Sequence, residues 1–385
     1  MKHPNKQSES GPLITSNLKD HKSSGHPLAT GSISNFLNLI WGNRGIDIKY
    51  IFRAVNILVT NFVLLPFRTY EKIKWGNKIN RSELHPSPIF ILGHWRSGTT
   101  YLHQLLCQDS RLGYVSTLQT FAPDVCISGA RILWPVFRAL LPKKRPIDNV
   151  EMALEYPEEE EWAVGNLCRH SFYRGIVFPG SMRRNFDKIS GLSNNHQSHQ
   201  EWKRTYLSVL KKASLKMNNR RLVLKNPMNT IRIPDLLDMF PDAKFIHIYR
   251  NPYDTYYSAC FFFSVMIKQY QLETITKQEI ENNVFEIFSK MMNRYWEDKE
   301  RIPSENLIEI KFEDLEDNPL ETIEKIYHAL KIPGFEDTKS SLQKYILSKT
   351  GYQKNRYAIN KETNQKIYQH WQNIIDKLSY APPAE

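Results

Sequence analysis

The stretch from Pro88 to Leu106, PIFILGHWRSGTTYLHQLL, sets glycines at 93 and 98 with four residues between them, directly after a short apolar run. Such a loop lets backbone N–H groups approach an anion closely, and a helix beginning near Gly98 adds its positive dipole end. Thr99 and Thr100 add hydroxyl donors. A nucleoside triphosphatase loop would continue with lysine and then serine or threonine, and a second strand would end in aspartate to organise Mg²⁺. Here the cation, Arg96, sits inside the loop, and the matching strand, KFIHIYR, ends in Arg250. A guanidinium holds no metal but grips a phosphate dianion through paired hydrogen bonds. The pattern therefore predicts a phosphate-bearing ligand handled without a metal ion.

The elements that must position these groups are strands alternating with helices from Pro88 onward. That alternation predicts an α/β fold with a mostly parallel central sheet flanked by helices. RLVLKNP, AKFIHIYRNP and NLIEIKFEDL each place β-prone residues before a polar or charged turn, as buried parallel strands do. Ligands bind at the carboxyl ends of such strands, where Lys225, Arg250 and the FEDL turn fall. Helices are predicted over Gly98 to Cys107, Thr230 to Phe240, Asp254 to Phe263, Lys277 to Arg301 and Leu320 to Leu330. Residues 112–216 read as an irregular helical insertion covering the binding edge of the sheet.

The 385 residues, 41% hydrophobic and 12% aromatic, suffice for a real core. The formal net charge of +12 favours anionic partners such as a nucleotide, a nucleic acid or a lipid headgroup surface. Basic residues are spread along the chain and do not cluster with aromatics on one segment, which argues against a nucleic-acid-binding module. Four scattered cysteines without metal-ligand spacing predict reduced thiols in a cytoplasmic setting. Residues 1–31 read as a disordered leader, 32–87 as an N-terminal helical region and 88–385 as the catalytic domain. The apolar run Tyr50 to Phe67 is interrupted by Arg53, Asn56, Asn61 and Pro66, which argues against a membrane span. The segment reads first as helices packed on the catalytic domain or gating its pocket. Peripheral contact of residues 33–75 with the inner face of a membrane is the second reading.

GHWRSGTT resembles the 5′-phosphosulfate loop of the sulfotransferases, and FPDAKFIHIYRNPYDTYYSA resembles their 3′-phosphate motif, with Arg250 and Ser258 at the matching positions. LVLKNP and IKFEDLEDNPLETIEKIYHAL resemble the bacterial branch, and the similarity runs from about Pro88 to about Tyr357. The resemblance implies a P-loop-like fold and the donor 3′-phosphoadenosine 5′-phosphosulfate, with no metal. It assigns donor binding to His94, Trp95, Arg96, Ser97, Gly98, Thr99 and Thr100, and to Arg250 and Ser258. Lys354, Asn355 and Arg356 in GYQKNRYAIN match a late basic segment that covers the nucleotide. Many relatives carry lysine where this chain has Arg96. A cation there steadies the negative charge that builds on the leaving phosphate, and Lys225 is placed to share that work.

The acceptor hydroxyl must give up a proton to a base, and relatives use a histidine or a glutamate. EYPEEEEW resembles a Pro-x-Glu-Glu stretch in which Glu159 and Glu160 match, and crowded carboxylates raise at least one pKa. His170 is the next candidate, followed by His94 and His103, while His247 in an apolar strand reads as structural. Phe121, Trp134, Phe137, Trp162, Phe172, Tyr173 and Phe178, with Phe261 to Phe263, predict an apolar acceptor such as a lipid, sterol or other alcohol. The alternatives are a P-loop nucleotide kinase or triphosphatase, and a non-catalytic module binding anions or membranes.

Overall fold

A computed structural model describes residues 25–382 except 44, 146, 192, 193, 352–354, 356 and 358. Five strands, β1 (Ile89–Leu92), β2 (Leu112–Gly113), β3 (Arg221–Lys225), β4 (Lys244–Tyr249) and β5 (Leu307–Lys311), form one sheet in the order β2-β3-β1-β4-β5. Every pairing is parallel, with Ile91 opposite Lys225 and Leu92 opposite His247. Alternate residues of β1 feed two separate cores. Ile89 and Ile91 join Leu102, Leu105, Leu106 and Ile323 on one face, while Phe90 and Leu92 join Trp202, Tyr206 and Phe285 on the other. A strand buried on both faces of a parallel sheet needs this continuous apolar sequence, whereas the edge strand β5, LIEIK, leaves Glu309 exposed.

The predicted helices appear, displaced at their ends. Thr99–Leu106 follows β1, Ile233–Met239 follows β3 after a 3₁₀ turn, and Pro252–Tyr270 follows β4. Lys277–Asp298 and Pro319–Ala329 lie before and after β5. Pro252–Tyr270 runs beyond the segment predicted from Asp254 to Phe263 because its later residues, Val265, Met266, Ile267 and Tyr270, are buried too.

Two boundaries differ from the sequence reading. Leu112 and Gly113, placed in the helical insertion, pair with Arg221 and Leu222 as the edge strand β2, too short to show a periodicity. Residues 25–31, assigned to the leader, are packed: Leu28 and Ala29 are buried, and the His26 ring lies 2.9 Å from the Tyr270 carbonyl. A Cβ at Gly31 would stand 2.8 Å from the Asn166 carbonyl oxygen, so only glycine allows this approach. Residues 1–24 of the leader lie outside the described residues. The insertion is otherwise helical, from Thr117–Phe121 and Gly129–Leu140 through Glu161–Leu167 to His196–Lys216.

Candidate active site

The loop after β1 turns at Gly93 and Gly98, both at positive φ. A Cβ at Gly93 would meet the Ile248 carbonyl at 2.4 Å, and one at Gly98 would enter the Phe312 ring at 2.1 Å. The FEDL turn after β5 is thus a brace. Phe312 packs under the loop, and Glu313 accepts from the Asn251 amide at 3.1 Å.

Arg96 also takes a left-handed conformation, φ 73°, which costs a residue with a Cβ about 1–2 kcal/mol. Its side chain is anchored on two sides: Nε donates to Ser258 Oγ at 2.9 Å, and a terminal nitrogen reaches Asp148 at 2.8 Å. Arg145 grips the same Asp148 carboxylate at 2.7 Å. Burial alone would raise the Asp148 pKa, but Arg145 and then Arg96 hold it below the ordinary carboxylate range. The other loop side chains face inward. Ser97 Oγ donates to the His94 carbonyl at 2.8 Å, Trp95 packs on Phe172 at 4.7 Å, and the buried His94 meets Phe288 edge-on at 4.9 Å. Burial lowers the His94 pKa to about 3, so its ring stays neutral. His103 and His247 are likewise buried beside the sheet.

The acidic stretch meets this loop through two routes. Lys225 Nζ, buried at the end of β3, lies 2.8 Å from Glu159 and 4.0 Å from Glu158. Glu158 is also 4.0 Å from Arg145, which completes a chain of charges from Arg96 through Asp148 and Arg145 to Lys225. In the second route, Tyr173 donates its hydroxyl to Glu159 and accepts from Trp95 Nε1 of the loop at 3.3 Å.

Each carboxylate has its own partners, and the mutual repulsion expected from the sequence raises Glu159 and Glu160 only as a lesser cause than burial. Glu160 accepts from Tyr206 and Asn229, both at 2.9 Å. Glu161 takes Arg232 at 2.7 and 3.2 Å together with Asn226 at 2.8 Å. Burial comes first in raising Glu160 to about 7, with Glu159 a lesser cause. Burial also raises Glu159, and Lys225 pulls it the other way.

His170 is not brought to this group. It pairs with Glu201 at 3.0 Å, and no described contact joins it to the loop or to Lys225. Arg250 pairs with Asp254 at 3.3 Å and lies over Phe312 at 4.8 Å, while its Nε is buried without a hydrogen-bond partner. Ser258, expected to meet Arg250's phosphate, is within 3.2 Å of the Tyr357 hydroxyl as well as bonded to Arg96. Asn355 donates to the Ile147 carbonyl at 2.8 Å, which lays the late segment beside the Asp148 turn. Lys354 and Arg356 lie outside the described residues. Most of the aromatics read as acceptor contacts are core: Phe172, Phe178 and Phe263 are buried, while Trp162 stacks on Tyr173 at 3.9 Å.

Arg145, Asp148, Tyr173 as a partner of Glu159, and Arg232 were not singled out by the sequence for these roles. KKRPIDNV carries no motif, and its Arg and Asp three residues apart resemble any surface pair.

Comparison with known proteins agrees with this geometry. Residues 88–337 match the sulfotransferase family. The omega-hydroxy-beta-dihydromenaquinone-9 sulfotransferases Stf3 of Mycobacterium bovis and Mycobacterium tuberculosis are each 29% identical over 313 residues, 81% of this chain and 80% of theirs. Sulfotransferase STF9 from Mycobacterium avium shares the fold at a TM-score of 0.69 and 16% identity, covering 95% of this chain and 94% of that one. STF1 from Mycobacterium tuberculosis H37Rv does so at a TM-score of 0.60 and 17% identity, covering 88% and 90%. The kinase and non-catalytic readings give way: the parallel sheet, the lysine-free loop and the matched span make this chain a member of the sulfotransferase family, and an enzyme.

Proposed function

We propose that this sulfotransferase takes 3′-phosphoadenosine 5′-phosphosulfate as donor and sulfates the hydroxyl of an apolar, lipid-like alcohol. The residues present fit a doubly anionic donor. Glycines 93 and 98 leave the loop backbone open to close approach, Arg96 brings a cation to it, and Arg250 has a buried Nε with no partner. When bound, the donor supplies a sulfuryl group and a phosphate on which negative charge accumulates. Arg96 holds positive charge at the loop, and Arg250 and Ser258 would hold the 3′-phosphate. Glu159 is the base in this reading, oriented by Lys225 and Tyr173 so that one carboxylate is held at a fixed distance from the loop.

The observation that carries the reading is the junction of loop and acidic stretch, made twice, through Asp148 with Arg145 and through Tyr173. The Trp162 and Tyr173 stack walls Glu159 with buried aromatic side chains, so the surroundings of this carboxylate are apolar on that side. The acceptor class is supported by the relative named for a hydroxylated menaquinone. The test is a titration with adenosine 3′,5′-bisphosphate in the presence of a chelator, followed by labelled-sulfuryl transfer to a panel of lipid alcohols and sugars. Binding without Mg²⁺ and transfer to lipid alcohols are expected. Glu159→Gln should lose about a hundredfold or more in kcat while still binding the bisphosphate, and His170→Ala should stay near wild type. Absence of bisphosphate binding would overturn the donor, and transfer to sugars alone would overturn the acceptor.

A further inference from the structure

We propose that the outer faces of the helices Ile51–Val63, Leu65–Arg81 and Gly129–Leu140 form one docking surface for an anionic lipid bilayer. On the first helix Phe52, Val55, Val59 and Phe62 recur every three or four residues and point outward, with Phe52 92% and Phe62 70% exposed. On the third, Ile132 and Val136 are spaced four apart on an outward stripe, and Ile132 is 68% exposed. Proteins that stay in water seldom leave such contiguous apolar stripes open.

The opposite faces are fastened to the protein. Asn61 donates to the Leu28 carbonyl at 2.8 Å and Arg53 to the Gln271 carbonyl at 2.7 Å. Glu71 accepts from the backbone amides of Ile127, Ser128 and Gly129, which ties the second helix to the start of the third. The second and third helices are therefore fixed to one another, although 47 residues of chain lie between Leu65–Arg81 and Gly129–Leu140.

Charge decides the occupant. Residues 48–81 carry seven Lys and Arg and a single acid, Glu71, which is buried. Residues 129–144 carry four Lys and Arg and no acid. Apolar stripes fringed by bases alone match a bilayer with acidic headgroups. A second copy of this chain would bring the same basic fringe against itself. No single described helix is long and apolar enough to cross a membrane, and the first two helices are bent by 43°. With their inner faces fastened as above, they lie along a surface and do not span it. The surface also adjoins the site, since Gly129–Leu140 leads within eight residues to Asp148. An enzyme seated this way takes its acceptor from the lipid phase.

Flotation of the full chain with vesicles tests the surface without any substrate. Vesicles of phosphatidylcholine with phosphatidylglycerol should carry the protein at low salt, and phosphatidylcholine alone should carry far less. The double variants Phe52→Glu with Phe62→Glu, and Ile132→Glu with Val136→Glu, should each lose at least tenfold in partitioning. Their thermal unfolding midpoints should stay at the wild-type value, because every one of these side chains is exposed. The proposal falls if wild type stays with neither vesicle, or if both double variants still float. It falls also if the stripes prove to join two copies in solution with no vesicle binding. Since no donor or acceptor is present, failure here leaves the bisphosphate titration, and the activity it tests, untouched.

Discussion

The glycine loop and the acidic stretch, to which the proposed reaction assigns its two halves, are built in opposite ways. The loop makes its own shape within six residues, with left-handed backbone at Gly93, Arg96 and Gly98 and Ser97 closing back onto His94. The run Glu158 to Glu161 has no such internal order. Each carboxylate is assigned its place by a partner far along the chain: Lys225 for Glu159, Tyr206 and Asn229 for Glu160, Arg232 for Glu161. Of four like charges in sequence, Glu159 is thereby turned toward the loop and Glu160 and Glu161 toward the core, while Glu158 lies 4.0 Å from both Arg145 and Lys225. A local motif survives changes elsewhere, whereas a run held by distant ion pairs fails when one partner is removed.

The largest effect should come from breaking that dependence at Arg232. Its guanidinium is 1% exposed, bonded to a wholly buried Glu161 and seated over Trp202 at 4.8 Å. Arg232→Met leaves the carboxylate uncompensated and should cost about 3–5 kcal/mol, read from urea unfolding. Restoring stability with Arg232→Met plus Glu161→Leu would show that the pair orders the stretch more than it stabilises the fold.

Next comes the loop cation. Arg96→Ala should lower kcat about a hundred- to a thousand-fold, with little change in unfolding free energy, because the loop backbone is held by glycines and its own hydrogen bonds. Equal losses in stability would erase the contrast between a self-shaped loop and a partner-shaped stretch.

The smallest effect distinguishes the buried carboxylates by sign. Glu160 has a folded pKa near 7, above its unfolded value of 4.5. Between those values the folded chain holds a proton that the unfolded chain has lost, so this residue's contribution to stability falls as pH rises. Glu160→Gln should therefore flatten the stability profile from pH 5 to pH 8 by about 2–3 kcal/mol, one pKa unit being worth about 1.4 kcal/mol. Asp148 has the opposite sign, since its depressed pKa makes its contribution present at neutral pH and lost on acidification. Chemical unfolding at pH 5 and pH 8, wild type against Glu160→Gln, reads the first, whereas the Asp148 contribution is lost only below the ordinary carboxylate range, on further acidification.

Much of this was legible in residues 88 to 258. The glycine loop with an internal arginine, the strand ending in Arg250 and Ser258 eight residues on are short-range patterns, and the parallel sheet follows from apolar runs that end in polar turns. Glu159 was legible as one of two matching glutamates, and the fold pairs it with Lys225. Ring type does not report burial: His94 is buried against Phe288, and His170 pairs with Glu201. The packing of residues 25–31 was hidden by a composition rich in Ser, Gly and Pro, which a chain accepts equally as coil or as a turn against Asn166.

The sequence alone determined the loop's chemistry, the strand ends and the absence of the Walker lysine, because each depends on neighbours a few bonds away. Tertiary structure alone decided which carboxylate meets a lysine, that Asp148 holds Arg96, and that Phe52, Phe62 and Ile132 stay exposed. Ion pairs and surfaces are made across dozens of residues, and their distances are set only when the sheet and its covering helices close on one another.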